Sequence, residues 1–141
     1  MTEKKRKPTI LLVEDYPETR TMLRQWLERK GYRLVEAADG QEALDLAPLA
    51  HPDLILMDLR LPEMNGIAAT RRLREHPDLK NVPVVALSAL DPAMFRDAAL
   101  SVGCVDYLTK PIDLDELESL LIRLLGYLPA SVKTVTSTGQ S

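Results

Sequence analysis

The sequence predicts an α/β fold in which five parallel strands form one sheet between layers of helices. Three observations predict it. Short apolar runs of strand length recur five times along the 141 residues, and a segment with helical apolar spacing follows each run. The connections between these segments are short. Regular alternation of this kind builds right-handed βαβ units, whose strands lie parallel in one sheet.

The composition is that of an ordinary single globular domain. Hydrophobic residues make up 45% of the chain and charged residues 28%. The net charge of -3 argues against nucleic-acid binding as the main function. No apolar run approaches the roughly 20 residues that span a bilayer, and the N-terminus lacks the apolar core of a signal peptide. Cys104 is the only cysteine, which excludes an internal disulfide and a cysteine-based zinc site. We therefore expect a cytoplasmic protein.

The first strand, residues 9–13, is apolar throughout and is followed by Glu14 and Asp15. A run of this kind suits a strand that is buried on both faces of a parallel sheet. The helix after it is expected to have Asp15 as its N-cap, with Glu18 at the third helical position as in a capping box. Gly31 is expected to end this helix in a left-handed conformation.

The second strand, residues 34–37, is less apolar than the first and suits the edge of the sheet. The helix that follows is capped by Asp39. The third strand, residues 54–58, is apolar except for its last residue, Asp58. A carboxylate cannot be buried unpaired without a large free-energy penalty, so Asp58 is expected to emerge at the strand's C-terminal end. Asn65 then caps the next helix.

The fourth strand ends in Ser88, and Asp91 caps the helix that follows it. The fifth strand ends just before Lys110, and a helix capped by Asp113 completes the fold. The most apolar strands, the first and third, belong in the middle of the sheet. This arrangement predicts the strand order 2-1-3-4-5 of the flavodoxin-like, three-layer (βα)5 fold.

Three carboxylates are predicted to meet at one edge of this sheet. In the predicted order the first and third strands are neighbours, so Glu14, Asp15 and Asp58 crowd one crevice. At about 5 Å and an effective dielectric constant near 20, each pair of charges repels by roughly 3 kcal/mol. A hard divalent cation would offset this repulsion, and a site of oxygen ligands without histidine indicates Mg²⁺ rather than zinc.

Neighbouring strand ends add the groups that phosphoryl transfer needs. Asp58 can attack phosphorus and become an acyl phosphate, and Mg²⁺ would offset the negative charge on both partners. Lys110 can bind a phosphoryl oxygen as a point charge. Ser88 can donate a hydrogen bond to another oxygen, and the small Ala89 leaves access to the site. These residues predict reversible phosphorylation of Asp58.

Four segments also carry a resemblance to a known family. They are residues 10–15 (ILLVED), 56–66 (LMDLRLPEMNG), 86–89 (ALSA) and 107–111 (YLTKP). On these segments, and over residues 8–127 as a whole, the sequence resembles receiver domains of bacterial two-component response regulators. The short chain is similar to the stand-alone, chemotaxis-regulator-like type with a single domain.

The resemblance implies specific roles at the site. Asp58 accepts a phosphoryl group from a histidine kinase or a histidine phosphotransfer protein. Glu14, Asp15, Asp58 and the backbone carbonyl of Arg60 hold Mg²⁺, and Lys110 contacts the phosphoryl group. The chain catalyses its own phosphorylation and dephosphorylation, and it is not an enzyme that turns over other substrates.

The resemblance also implies a conformational switch. Ser88 moves toward the phosphate, and Tyr107 swings inward into the space vacated. The peptide bond between Lys110 and Pro111 is expected to be cis. A partner surface on the fourth helix, fifth strand and fifth helix is thereby switched.

Three alternative functions fit the sequence less well. A haloacid-dehalogenase-type phosphatase would need a second aspartate two residues after Asp58, and Arg60 there cannot donate a proton at neutral pH. A module that binds flavin mononucleotide would need a glycine-rich and hydroxyl-rich phosphate loop after the first strand, where Glu14 and Asp15 would repel phosphate. A signalling-dead domain would require lost motif residues, and none is lost.

The domain is expected to span residues 8–128, between a basic disordered tail at residues 1–7 and a Ser/Thr-rich disordered tail at residues 129–141. No DNA-binding or catalytic module is expected after the last helix, so the output is a partner protein or transfer of the phosphoryl group. Ile122 and Leu125 exceed what one buried stripe needs, and we hypothesise a docking or homodimer face there.

Overall fold

The structure, a computed structural model, describes residues 6–127, and in this range five strands alternate with five helices. The strands are β1 Thr9–Val13, β2 Arg33–Ala37, β3 Leu54–Asp58, β4 Val84–Ser88 and β5 Cys104–Thr109. The helices are α1 Pro17–Arg29, α2 Gly40–Ala50, α3 Gly66–Arg74, α4 Pro92–Ser101 and α5 Leu114–Leu125.

The five strands form one parallel sheet in the order β2-β1-β3-β4-β5. The predicted architecture and strand order are therefore confirmed. β1 and β3 are direct neighbours, with Leu11 opposite Ile55 and Val13 opposite Met57. All four of these side chains are buried, as expected for central strands that are covered on both faces.

Alternating residues of the strands feed two separate hydrophobic clusters, one on each face of the sheet. Leu11 and Ile55 point into a cluster that α2, α3 and α4 cover. Ile10 and Leu54 point into a cluster that α1 and α5 cover. Three helices therefore cover one face of the sheet and two helices cover the other. The ends of the strands are left open.

The predicted caps form at four of the five helices. The side chains of Asp39, Asn65, Asp91 and Asp113 each accept a hydrogen bond from an N–H group in the first turn of the helix that follows. These bonds satisfy donors that have no partner inside the helix. Gly31 has a φ of 95°, which is the predicted left-handed stop after α1.

The predicted cap of α1 is wrong. Tyr16, rather than Asp15, is the N-cap residue, and no side chain caps this helix. The physical reason is Pro17, which occupies the first helical position and keeps the residue before it in an extended conformation. The carboxylate of Asp15 is consequently not used by the helix.

The remaining predicted features concern the last helix and the two ends of the chain. Ile122 and Leu125 are half-buried, and Leu125 packs against the α1 and α5 cluster. Within the basic N-terminal segment, Arg6 makes two hydrogen bonds to Asp53, of 3.0 and 3.2 Å. Residues 1–5 and 128–141 of the two predicted tails lie outside the described residues. Between residues 6 and 127 no helix has the length and apolar character to cross a membrane.

Candidate functional site

The carboxyl ends of the central strands meet at one edge of the sheet, where parallel α/β sheets bind ligands. Asp58 is the last residue of β3 and Ser88 the last residue of β4. Glu14 directly follows β1, and Lys110 directly follows β5. An open cavity of about 630 Å³ lies at this edge, and Glu14, Asp58 and Lys110 line it.

The three predicted carboxylates are brought together. Glu14, Asp15 and Asp58 each place one carboxylate oxygen within 4.8 Å of the others. The pairing of β1 with β3 causes this, because it aligns the ends of the two strands. Glu14 and Asp58 are buried and Asp15 is exposed, so the cluster opens toward solvent on the Asp15 side.

Lys110 is the positive charge that the cluster contains. Its Nζ atom lies 2.6 Å from Oε1 of Glu14 and 3.2 Å from Oδ2 of Asp58. Burial alone would lower the pKa of Lys110, but the two carboxylates reverse this effect and raise it. Burial raises the pKa of Glu14 to about 6, and the hydrogen bond to Lys110 opposes this only in part. One lysine therefore compensates three carboxylates incompletely.

The chemistry of the cluster fits a hard divalent cation. All three side chains offer oxygen ligands, and neither histidine nor cysteine belongs to the group. The carboxylate of Asp15 makes no hydrogen bond or ion pair within residues 6–127, so its oxygens are available as ligands. Carboxylate oxygens with room for water molecules are what Mg²⁺ prefers.

Asp58 is held by two contacts. Oδ1 accepts a hydrogen bond of 3.0 Å from the main-chain N–H of Arg60, and Oδ2 contacts Lys110. Behind it, Gly66 begins α3 and donates a hydrogen bond of 2.9 Å to the carbonyl of Leu59. A Cβ atom at Gly66 would overlap the main-chain oxygen of Asp58. Only glycine therefore lets α3 approach the strand end so closely.

The side chains of Ser88 and Tyr107 both form hydrogen bonds to the main chain of Leu90. The Oγ atom of Ser88 accepts a hydrogen bond of 2.9 Å from the N–H of Leu90. The hydroxyl of Tyr107 donates a hydrogen bond of 2.9 Å to the carbonyl of Leu90. Tyr107 is 5% exposed, so its ring is in the inward position.

The remaining predicted residues lie around the same edge. Ala89 is exposed and lines the cavity together with Arg60. The peptide bond between Lys110 and Pro111 is cis, as expected. The main-chain N–H of Lys110 donates a hydrogen bond of 2.8 Å to the carbonyl of Ser88, which ties the ends of β4 and β5 together.

Some residues of the site were missed by sequence reasoning. The cavity has an apolar wall that includes Ile67, Leu90 and Phe95, which come from α3, the β4–α4 connection and α4. Tyr16 stands at the mouth and is 55% exposed. Its position directly after the two acids could have identified Tyr16. No sequence pattern places Phe95 beside the site, because its position depends on how α4 packs.

Residues 10–122 match the family model described as the response regulator receiver domain. This protein belongs to that family. It is a receiver domain of a response regulator in two-component signalling, as the sequence predicted. The match leaves the alternative of a haloacid-dehalogenase-type phosphatase without support.

Individual relatives agree with this assignment. The receiver domain is 35% identical over 118 residues to the polar-differentiation response regulator DivK of Brucella ovis. This alignment covers 84% of this chain and 96% of DivK. Among solved structures, it is similar to the receiver domain of the sensor histidine kinase PA1611 from Pseudomonas aeruginosa PAO1, with a TM-score of 0.80 and 39% identity over 86% of this chain and 100% of that one. That structure has a magnesium ion coordinated in its active-site cleft. The chemotaxis protein CheY4 of Vibrio cholerae has a TM-score of 0.80 and 29% identity over 84% of this chain and 99% of that one.

Proposed function

We propose that Asp58 is the phosphoacceptor of this receiver domain and takes its phosphoryl group from a phosphohistidine of a histidine kinase or a histidine phosphotransfer protein. The observation that carries the proposal is the position of its carboxylate. Asp58 ends a buried strand at an open cavity, 3.2 Å from the ammonium group of Lys110 and beside two further acids.

Glu14, Asp15, Asp58 and the backbone carbonyl of Arg60 would hold Mg²⁺. The proximity of the three carboxylates and the unused oxygens of Asp15 support this assignment. When bound, the ion offsets the negative charge of the carboxylates and of the phosphoryl group. The solved receiver domain with magnesium in its cleft supports the same assignment by similarity.

The chain's own residues supply the rest of the transfer. An oxygen of Asp58 forms the new bond to phosphorus, while the bond from phosphorus to the imidazole nitrogen breaks and the nitrogen keeps the electron pair. Lys110 binds a phosphoryl oxygen as a point charge, and Ser88 donates its hydroxyl to another. Ala89 leaves room for the donor. Hydrolysis of the acyl phosphate at the same site resets the protein, so the chain promotes its own phosphorylation and dephosphorylation.

Ser88 and Tyr107 form the proposed switch. Both side chains hydrogen-bond to Leu90, one to its N–H and the other to its carbonyl. When Ser88 turns toward a phosphoryl oxygen, it no longer accepts the hydrogen bond from the N–H of Leu90. The main chain at Leu90, whose carbonyl binds the hydroxyl of Tyr107, then changes its conformation. A local change of charge is thereby transmitted to β5 and α4.

The proposed partner face consists of α4, β5 and α5. Met94 on α4 is 72% exposed and Val105 on β5 is 47% exposed. Asp106 on β5 lies 3.5 Å from Arg96 on α4 and 3.7 Å from Arg123 on α5, so the face combines apolar groups with both signs of charge. We propose that a downstream protein, or a second copy of the chain, binds here. We also propose that the protein acts in the cytoplasm.

Light scattering tests the homodimer separately. The expected result is a dimer in the presence of a phosphoryl analogue with Mg²⁺. A monomer both with and without the analogue would leave a different protein as the occupant of this face.

The assignment of the phosphoacceptor is tested by Asp58→Asn. Because the amide oxygen is a much weaker nucleophile than a carboxylate, the variant should take up no phosphoryl group from acetyl phosphate with Mg²⁺. Intact-mass spectrometry should show one added phosphoryl group on the wild type and none on the variant. Asp45→Asn is the matched control, because Asp45 is an exposed acid on α2 whose only side-chain hydrogen bond within residues 6–127 is accepted from Gln41, and it should be labelled like the wild type. Labelling that persists in Asp58→Asn would refute the assignment.

A further inference from the structure

Arg20 lies early in α1 and reaches back to the acidic site. Its Nη1 atom donates a hydrogen bond of 2.8 Å to the main-chain oxygen of Glu14. Its Nε atom lies 3.5 Å from Oε1 of Glu36 on β2. The guanidinium group is therefore fixed between the edge strand and the carbonyl that precedes Asp15.

Asp15 depends on its backbone for its position. Glu14 and Asp58 have side-chain partners, but the carboxylate of Asp15 is exposed and has no partner within residues 6–127. The carbonyl of Glu14 and the N–H of Asp15 belong to one planar peptide group. A contact that fixes this carbonyl consequently fixes the direction in which the chain enters Asp15.

We propose that Arg20 is a positioning residue for Asp15, and that it orients the exposed carboxylate of the metal site through the peptide group before it. The inference rests on the proposed function, because it gives Asp15 the role of a metal ligand. In the described part of the chain, Arg20 is the only hydrogen-bond donor to this carbonyl. On the other side of Glu14, its N–H donates a hydrogen bond of 3.0 Å to the carbonyl of Ala37.

Arginine is suited to this task. Its planar guanidinium presents several N–H groups in a fixed arrangement, so one group can bind the carbonyl while another is anchored on a carboxylate. Glu36 provides the anchor through Oε1, and Arg24 pairs separately with the other oxygen, its Nε atom lying 3.4 Å from Oε2. The edge strand β2 thus supports the metal site although it contributes no ligand.

A simpler role for Arg20 would be to stabilise the contact between α1 and β2. Arg24 separates the two roles, because it pairs with the same Glu36 and makes no contact with Glu14. Partly exposed ion pairs of this kind contribute little to the free energy of unfolding. Loss of either ion pair with Glu36 should therefore have a similar, small effect on stability, and only loss of Arg20, which also removes the hydrogen bond to Glu14, should affect the metal site.

The test compares Arg20→Met with Arg24→Met. Mg²⁺ is titrated into metal-stripped protein by calorimetry, and urea unfolding is measured on the same samples. We expect Arg20→Met to weaken Mg²⁺ binding by about tenfold, as is usual for residues that orient a ligand. Arg24→Met should keep the wild-type affinity. At saturating Mg²⁺, phosphoryl uptake by Arg20→Met should return toward the wild-type rate, because the reacting groups are intact.

A double-mutant cycle shows whether Arg20 acts through Asp15. In an Asp15→Asn background, Arg20→Met should cause little further loss of Mg²⁺ affinity, because the ligand that it orients is already gone. An undiminished loss in that background, or equal losses from Arg20→Met and Arg24→Met, would overturn the inference. Arg20→Gln is a second variant with the same expected loss should Arg20→Met not fold. A wild-type protein that binds no Mg²⁺ would instead refute the proposed function.

Discussion

At the scale of single residues, Lys110 controls the electrostatics of the site in the absence of metal. It contacts the fully buried Glu14 and the proposed phosphoacceptor Asp58 with the same ammonium group. A buried carboxylate that loses its charged partner keeps the desolvation penalty without the compensating attraction. Lys110 therefore stabilises the cluster of carboxylates itself, in addition to its proposed contact with the phosphoryl group.

Replacement of this lysine should show the first of these roles. We expect Lys110→Gln to lower the free energy of unfolding by about 1–3 kcal/mol in metal-free protein, because Glu14 is left buried without a counter-charge. Mg²⁺ should restore most of this loss. Urea unfolding with chelator and with Mg²⁺ measures both effects.

Lys30→Met is the matched control for this experiment. Lys30 pairs with Glu118 at 3.0 Å, away from the site. Its loss should lower the free energy of unfolding by less than about 1 kcal/mol, with no response to Mg²⁺. Equal effects of the two lysines would contradict the role given to Lys110.

Asp15 should behave in the opposite way. Asp15→Asn removes one of three neighbouring carboxylates, so the metal-free protein should become more stable by about 1 kcal/mol. The same variant should bind Mg²⁺ at least about tenfold more weakly. Thermal unfolding without metal and calorimetric titration test the two halves. A drop in metal-free stability would show that the carboxylates do not repel each other as described.

At the scale of the elements, the beginning of α3 sets how closely the helix packs against the strand that carries Asp58. The N–H of Gly66 bonds to the carbonyl of Leu59, and there is no space for a Cβ atom between the helix and the strand end. The helix start and Asp58 therefore form one structural unit.

Gly66→Ala should disturb this unit. We expect a loss of unfolding free energy of about 3 kcal/mol, because the added methyl group meets main chain that cannot move aside easily. We also expect weaker Mg²⁺ binding, since Asp58 has to shift. Urea unfolding and calorimetry provide the two measurements.

Gly103→Ala is the control for Gly66→Ala. Gly103 has a φ of 108°, and a Cβ atom there would lie 2.7 Å from Nε of Arg74. It precedes β5, at the end of the strand opposite to the site. This variant should lose stability and keep its Mg²⁺ affinity. If both glycine variants bind Mg²⁺ like the wild type, Gly66 does not position Asp58.

The elements also show what could be predicted from the sequence. Apolar runs that end in acids identified β1 and β3, and cap residues such as Asp39 and Asn65 identified helix starts, because these are local signals. The start of α1 was misassigned, since a capping pattern at Asp15 competes with the preference of Pro17 for the first helical position. The contact of Arg20 with Glu14 depends on tertiary packing, and no local spacing reveals it.

At the scale of the whole molecule, strand order assembles the site. Its charged groups come from residue 14 to residue 110, and the ion pair between Lys110 and Glu14 joins residues 96 positions apart. A ligand that binds this arrangement and not the unfolded chain must stabilise the folded state as a whole.

Mg²⁺ should therefore raise the melting temperature. At a concentration one hundred times the dissociation constant, the expected stabilisation is about 2.7 kcal/mol, which corresponds to a shift of roughly 10 °C for a domain of this size. Differential scanning calorimetry measures it. NaCl of equal ionic strength is the control for screening. A shift no larger than that caused by NaCl would argue against a metal site.

With Asp58 as the proposed phosphoacceptor, the long-range pair of Lys110 and Glu14 would also make phosphorylation a check on the integrity of the fold. A chain in which β5 and α5 have detached still carries Asp58, but it lacks the ammonium group that belongs beside it. Such a damaged molecule should be a poor acceptor. It would be silent in signalling and would not transmit a false output.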